Sequence, residues 1–540
     1  MKNTLLMKIL MGWLLLVSPL LIQAAELSVD HAINERYSQA VDIPIVVSAG
    51  DYVFGQLISN DAEVDLILLD DNVNDLAVQR KLINGEQGEH NFLFVATDLT
   101  KTLRLQATDD SNKSHFDYQL KIIRHIPKSE QVAPSQPFVS PTIAALADNI
   151  ANNVSTDAIW ATIASQGTPI IEEHADSDNV VMTFAYKGAK HNVRIFGAPA
   201  SEHEFMEQLD GSDIWYKSFI VPNTSRLSYR LSPDVPQFSG TPWQQRVAIL
   251  ATAQADPLNK HPFPAKYAAN NSSPFNYFSS VNLATDTHKY WQPQNNVATG
   301  SVQKHRFSSD ILGNQRNIWL YTSANYVKND PNNVLLLMFD GKHYTSKVDV
   351  PMILDNLVAN NKIPAIAAVL IDNPSQKLRA SELPDNKDFA KAMATEILPW
   401  AEQTLGIKSK PQTTVLSGSS YGGLASTSIA LRHPEQFGNA LSMSGSYWWS
   451  PEDTPAKESE YTAIKIATMP KQPVRFFLSA GLFESFYNGK VSILETNRHL
   501  QHMLTAKGYD SEYKEYASGH DYYVWQDVIA DGLIHLFGEK

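Results

Sequence analysis

The stretch Thr414-Val415-Leu416-Ser417-Gly418-Ser419-Ser420-Tyr421-Gly422-Gly423 constrains this chain more than any other. A short β-branched and apolar run stops at Gly418, and a helix-compatible segment, Leu424 to His433, follows Gly423. Gly418-x-Ser420-x-Gly422 in that strand–turn–helix setting is the pattern of a nucleophile elbow. The turn is too tight for Cβ atoms beside the serine, and its strain pushes the hydroxyl out of the sheet edge. Ser420 then opens a helix, where backbone N–H groups favour developing negative charge. A bare G-x-S-x-G is also a common glycine-rich turn. The flanking elements, and the residues that must accompany it, decide between the two.

From about Gly300 the chain alternates near-continuous apolar runs with helical segments. Val334–Phe339, Ala365–Ile371, Thr414–Leu416, Ala440–Met443 and Val474–Leu478 are such runs; Phe389–Leu405 and Val491–Lys507 are the clearest helices. Strands buried on both faces and separated by helices imply a parallel sheet covered on both sides. Residues 300–540 are therefore expected to form an α/β-hydrolase domain.

Serine needs a base to take its proton as it attacks, and in that fold the chain order is serine, acid, histidine. His520 in Ser518-Gly519-His520-Asp521 meets the demand, because it follows a last strand, Tyr513–Tyr516, and precedes a C-terminal helix. The acid belongs just past the second strand after the serine, in Ala480-Gly481-Leu482-Phe483-Glu484-Ser485. Glu484 is the candidate that holds the imidazole tautomer. Glu495 is a helical alternative, Asp453 lies one strand early, and Asp521 is badly placed to reach the adjacent ring. Oxyanion donors are expected from the N–H of Tyr421 and from the turn Asp340-Gly341-Lys342-His343, where Gly341 permits close backbone approach. An ordinary turn is the competing reading of that segment.

Upstream, residues 26–125 read as short strands between turn signals, a small all-β sandwich. They loosely resemble the prepeptidase-C-terminal-like accessory domains of secreted bacterial enzymes. Asp70-Asp71-Asn72-Val73-Asn74-Asp75 lacks the glycine and closing glutamate of a calcium loop and reads as a solvated turn. Residues 126–175 are a proline-bearing linker followed by a helical segment, with Asn152-Asn153 as a break. Within residues 176–285, about Asn179 to Arg230 alternates as half-buried strands do, and the stretch from Val247–Ala251 to Ala255–Asn259 closes this region.

Several motifs in order resemble the enterochelin (enterobactin) esterase family. They are Phe339-Asp340-Gly341, Leu370-Ile371-Asp372, Arg379-Ala380-Ser381-Glu382-Leu383, the serine motif, Leu441-Ser442-Met443-Ser444-Gly445-Ser446-Tyr447-Trp448-Trp449 and Gly519-His520-Asp521. Gly211–Trp215 and Ala255–Asn259 resemble that family's immunoglobulin-like N-terminal domain, so the match spans roughly residues 175–540. The resemblance implies hydrolysis of the trilactone ester of a ferric catecholate siderophore, with iron entering as part of the substrate and no cofactor or protein metal site. It makes Arg379 the family-matched anion binder, with Lys342 and His343 beside the oxyanion turn. Trp448 and Trp449 offer faces for catechol rings. A surface salt bridge and a packed aromatic pair are the competing readings. Other acceptors or substrates on the same fold (a carboxylesterase, a feruloyl-type esterase, an acyltransferase) and a non-catalytic siderophore-binding protein are the alternatives.

Charge and targeting set the context. A formal net charge of −13 argues against nucleic acid or an anionic membrane as a partner. Lys2 and Lys8, the apolar run Ile9–Ile22 and Gln23-Ala24-Ala25 read as a cleavable signal peptide over residues 1–25, with no stable membrane insertion after cleavage. An exported chain without cysteine suits the periplasm or the bacterial exterior. The best-known family members are cytoplasmic and lack both the signal and the first domain.

Overall fold

The computed structural model describes residues 27, 32–37, 40–72, 75–108, 115–131, 138–200, 203–270, 273–285, 290–455, 460–485 and 491–538. The expected signal peptide lies outside them, as do Val73 and Asn74 of the acidic turn. The chain forms two compact units, Met1–Gln136 and Pro137–Lys540.

In the first unit, β1 (Ile33–Tyr37), β2 (Val41–Pro44), β3 (Tyr52–Asn72), β4 (Asp75–Val95), β5 (Thr100–Ala107) and β6 (Phe116–Ile126) share one antiparallel sheet. β3 pairs with β6 over residues 52–58 and with β5 over residues 64–70, and its register with β4 shifts between Ser59 and Val64. Val53, Leu57, Leu66, Leu68, Phe92 and Leu103, drawn from both halves, lie in one buried cluster. The sandwich expected from sequence is thus a single sheet bent on itself. Ser59-Asn60-Asp61 runs as an irregular stretch of strand, with the Ser59 hydroxyl donating to the Ala62 carbonyl at 2.8 Å. Such irregularities bend a strand without ending it.

The second unit begins with helices Pro141–Ala151 and Thr156–Gln166, capped by Ser140 and Ser155 and separated where Asn152-Asn153 suggested. Next come β7 (Ile170–Glu173), β8 (Asn179–Lys187), β9 (Val193–Gly197), β10 (Glu207–Gln208), β11 (Ile214–Pro222), β12 (Arg226–Pro233), β13 (Pro262–Phe263) and β14 (Phe278–Asn282). They make two antiparallel sheets, β10-β11-β8-β7 and β13-β14-β12-β9. Phe184, Ile195, Trp215, Leu227 and Tyr229 from both sheets share one core. The closing stretch opens on a helix. Pro242–Ile249 is a helix, because Thr241 and Gln244 form a capping box and Pro242 occupies the first turn.

The rest of the unit is an eight-stranded sheet of order β15-β16-β18-β17-β19-β20-β21-β22. Its strands are β15 (Ser301–Ser309), β16 (Asn314–Thr322), β17 (Val334–Phe339), β18 (Ile366–Ile371), β19 (Thr414–Ser419), β20 (Asn439–Met443), β21 (Arg475–Gly481) and β22 (Ser511–Tyr516). β15 and β16 are an antiparallel edge, and the strands from β18 to β22 run parallel. Alternate residues of β17 face two separate cores, Leu335, Leu337 and Phe339 in one and Val334, Leu336 and Met338 in the other. Two buried faces are why these strands read as continuous apolar runs.

Arg226, at the start of β12, joins the two parts of this unit. Its Nη2 donates to Gln526 Oε1 at 2.8 Å, Nη1 pairs with Asp527, and the guanidinium lies 4.0 Å from the Trp291 ring centroid and 4.1 Å from that of Tyr523. Removing one partner of a buried ion pair strands the other charge, which costs about 3–5 kcal/mol. Arg226→Ala should therefore lower unfolding free energy by about that amount, read by chemical denaturation, with Asp527→Asn in the same background recovering part of it.

Candidate active site

Ser420 sits between the end of β19 and the helix Tyr421–Arg432 at φ 60° and ψ −121°. That conformation costs a non-glycine residue about 1–3 kcal/mol and persists only when its surroundings hold it. The Ser420 N–H donates to the Met443 carbonyl at 3.0 Å, and its own carbonyl accepts from Ser446 and Leu424 N–H at 3.1 Å each. The glycines earn their place through space. A Cβ on Gly418 would lie 2.8 Å from the backbone of Gly422, and one on Gly423 2.6 Å from the Ser442 hydroxyl. Leu424 is the first residue whose N–H bonds back to Ser420, so the N–H groups of residues 421–423 head the helix without partners inside it. The Ser420 hydroxyl is 3.2 Å from the buried Ser446 hydroxyl.

Glu484 lies in the loop after β21, buried, with Oε2 accepting the Gly481 N–H at 2.6 Å and Oε1 2.5 Å from His520 Nδ1. One carboxylate oxygen is thus tied to the backbone and the other orients the imidazole. With Nδ1–H donating to Glu484, Nε2 is the nitrogen that can accept a proton. The His520 ring stands edge-on to Trp525, 5.0 Å between centroids. The residues follow β19, β21 and β22, so all three lie at the carboxyl end of the parallel sheet. They line one cavity of about 690 Å³.

The loop carrying His520 is seated against the smaller β part of the same unit. Arg226 N–H donates to the Ala517 carbonyl at 3.0 Å. The Asp521 carboxylate accepts from the Ser228 hydroxyl at 2.8 Å, from Ser228 N–H, and from Tyr523 N–H at 2.9 Å as the cap of the last helix. Burial pushes the Asp521 carboxyl up from the usual range, against those hydrogen bonds. Asp521 therefore anchors the loop and does not serve the ring.

The other expected residues divide. Tyr421 and Trp448 line the cavity, their rings 6.0 Å apart. Arg379 lines it too, but its Nε and Nη2 grip Asp340 at 2.7 and 2.8 Å. Burial alone would lower the Arg379 pKa, and the Asp340 pairing more than offsets it. Arg379 thus stands on the cavity wall as expected, with its charge paired to Asp340, and braces the turn after β17. Gly341, Lys342, His343 and Trp449 are not on the cavity wall. A Cβ on Gly341 would lie 2.5 Å from the Leu370 backbone, so close packing on β18 accounts for that glycine. Lys342 is exposed, the His343 ring lies 5.5 Å from Tyr522, and Trp449 packs edge-on to Tyr461 beside the core.

The cavity's cations come largely from places the motifs did not indicate. Arg194 on β9, Arg246 on the capped helix and Lys347 on a π-helical turn, Tyr344–Val348, all line it. Arg194 is held by its Nε donating to the His203 carbonyl at 2.6 Å. Burial pushes the His203 imidazole down to about 4, so it stays neutral near pH 7. A capping box and the widened turn were the available signals, but neither points to a cavity by itself. A nucleophile, an oriented imidazole, helix N–H donors and a cationic wall together suit acyl transfer from an acidic ester to water.

Comparison with known proteins agrees in place and kind. Residues 309–536 match the family described as putative esterase, and residues 181–278 match enterochelin esterase, N-terminal. The iron(III) enterobactin esterase of Dickeya dadantii is 27% identical over 417 residues, covering 70% of this chain and 92% of that protein. The iron(III) salmochelin esterase of Escherichia coli is 28% identical, covering 70% and 93%. A crystal structure of ferric enterobactin esterase from Salmonella typhimurium superposes with a TM-score of 0.58 at 24% identity, covering 70% of this chain and 98% of that one. The Shigella flexneri enterobactin esterase in the presence of enterobactin gives 0.57 at 24%, covering 71% and 98%.

The seating of the His520 loop yields a test. A Cβ on Gly519 would lie 2.7 Å from the Ala198 Cβ. Gly519→Ala should displace the ring and lower kcat/KM for an aryl ester by about 10²-fold, the scale of an ångström misplacement. Ala198→Gly added to it should restore most of the rate.

Proposed function

Because the chain belongs to the enterochelin esterase family, we propose that it hydrolyses ester bonds of a catecholate siderophore, such as the trilactone of ferric enterobactin, and so releases iron. The observation that carries this reading is the meeting of Ser420 with the Glu484–His520 pair on the wall of one cationic cavity in an acidic protein. A ferric tris-catecholate is anionic, and a local patch of opposite sign must overcome the field of the whole chain. Arg194, Arg246 and Lys347 supply that patch.

Ser420 Oγ attacks the ester carbonyl while His520 Nε2 takes its proton. Glu484 holds Nδ1–H and stabilises the imidazolium. The N–H groups that head the helix Tyr421–Arg432, that of Tyr421 first, receive the oxyanion. The imidazolium returns its proton to the departing alkoxide, and a water deprotonated by His520 then frees the acid and the serine. Trp448 gives an aromatic face for an aryl arm. The small part with two four-stranded sheets is read as immunoglobulin-like. The signal peptide expected at residues 1–25 suits export to the periplasm or beyond it, and fractionation of cells expressing the full chain distinguishes the two.

Incubation with ferric and iron-free trilactones beside simple aryl and feruloyl esters, with products read by mass spectrometry, tests the substrate. Linear and monomeric products from the trilactone are expected; cleavage of the simple esters alone would contradict the reading. Ser420→Ala should lower kcat by about 10⁶-fold with ligand binding nearly intact, and Glu484→Gln by about 10⁴-fold.

A further inference from the structure

Beside the catalytic cavity lies a second one of about 810 Å³, and the two share Phe263, Pro264 and Lys347 on their walls. The second cavity is formed between the segment 258–266 of the small β part and the beginning of the helix Val350–Ala359 of the α/β part, with Trp291 and Tyr523 on its wall. No catalytic residue lines it. Its charge has the same sign as that of its neighbour. Lys260, Lys266 and Lys347 line it against one carboxylate, Asp349, which already faces Lys266 at 3.6 Å.

Lys347 stands at the junction. Its ammonium lies 5.1 Å from the Tyr522 ring centroid, and among the described residues it forms no ion pair. Burial first, then the neighbouring Arg230 and Lys342 charges, push its pKa down, and Asp521 opposes them. The Asp521 carboxylate makes its hydrogen bonds to Ser228 and Tyr523, not to the Lys347 ammonium. A cation kept half-buried beside like charges is costly to an empty site and favourable to one holding an anion. Its backbone sits in a π-helical turn that runs up to the left-handed Asp349, a widened geometry frequent at functional sites.

Resting on the siderophore-ester reading above, the geometry points to the second cavity as an arm-binding subsite. It takes one anionic aryl arm of a multi-armed ester whose scissile carbonyl lies at Ser420, and the Lys347 ammonium at the junction pairs with a phenolate or carboxylate oxygen of that arm. The catalytic cavity holds the arm next to the scissile bond, and the second cavity distinguishes a multi-armed ester from a single-armed one.

The test is the ratio of kcat/KM for a three-armed catechol trilactone to that for the methyl ester of a single catechol-acylated serine, measured with the full chain. Lys347→Met should lower this ratio about tenfold or more, and Lys347→Arg should largely keep it. Ala265→Trp narrows the second cavity from an exposed position that does not line the first, and should lower the ratio similarly. Wild-type thermal unfolding certifies each variant as folded. A ratio unchanged in Lys347→Met, or lowered there but unchanged in Ala265→Trp, overturns the subsite. Binding of a ferric tris-catechol complex is read in parallel by tryptophan quenching in Ser420→Ala, with and without Lys347→Met. Should the wild-type chain cleave neither ester, the proposed activity fails, yet the binding arm still decides: about tenfold weaker binding supports the role of Lys347, and equal binding overturns it.

Discussion

The architecture depends on one strained peptide unit. Ser420 is held at a positive φ between a buried strand and a helix, and every neighbouring element contributes to keeping it there. β20 receives its N–H through Met443, the loop after β20 donates to its carbonyl through Ser446, and bare glycine backbones close in from both sides. Strain of this kind stores the exposure of a hydroxyl that would otherwise turn into the sheet. β19 itself lies inside the sheet, flanked by β17 and β20.

Around that point the two parts of the second unit divide the work. The parallel sheet brings the serine, the carboxylate and the imidazole to one end, because each follows a strand of the same direction. Among the described residues, the smaller β part contributes none of Ser420, Glu484 and His520. It seats the histidine loop through Ser228 and Arg226, and it supplies Arg194 and Arg246 to the wall. In a chain of net charge −13 those cations, with Lys347, make the cavity a place where an anionic ligand is favoured. Walls of low dielectric concentrate that attraction.

The parts of this arrangement that live in local pattern were legible in the chain. The elbow, the apolar runs doubly buried in the sheet and the late histidine each have a short-range signature, and topology then selects Glu484 by counting strands. What could not be read depends on partners distant in sequence. Arg379 reaches the cavity as its motif suggests, but its pairing with Asp340, 39 residues away, has no local signal. Lys342 and His343 adjoin the turn after β17 in sequence but not the cavity, whereas Arg194 and Arg246 reach it from another sheet and a helix. Val247–Ala251 has the apolar density of a strand, and the capping signals of Thr241 and Gln244 outweigh it.

If His520 serves as the base, Ser420 is the one hydroxyl it activates. Treating the full chain with a fluorophosphonate that reports on activated serines, then mapping the adduct by peptide mass spectrometry, addresses this most directly. One adduct per chain is expected, on Ser420, with labelling lost in His520→Ala. An adduct on another residue, or equal labelling of Ser420 without the imidazole, would contradict it.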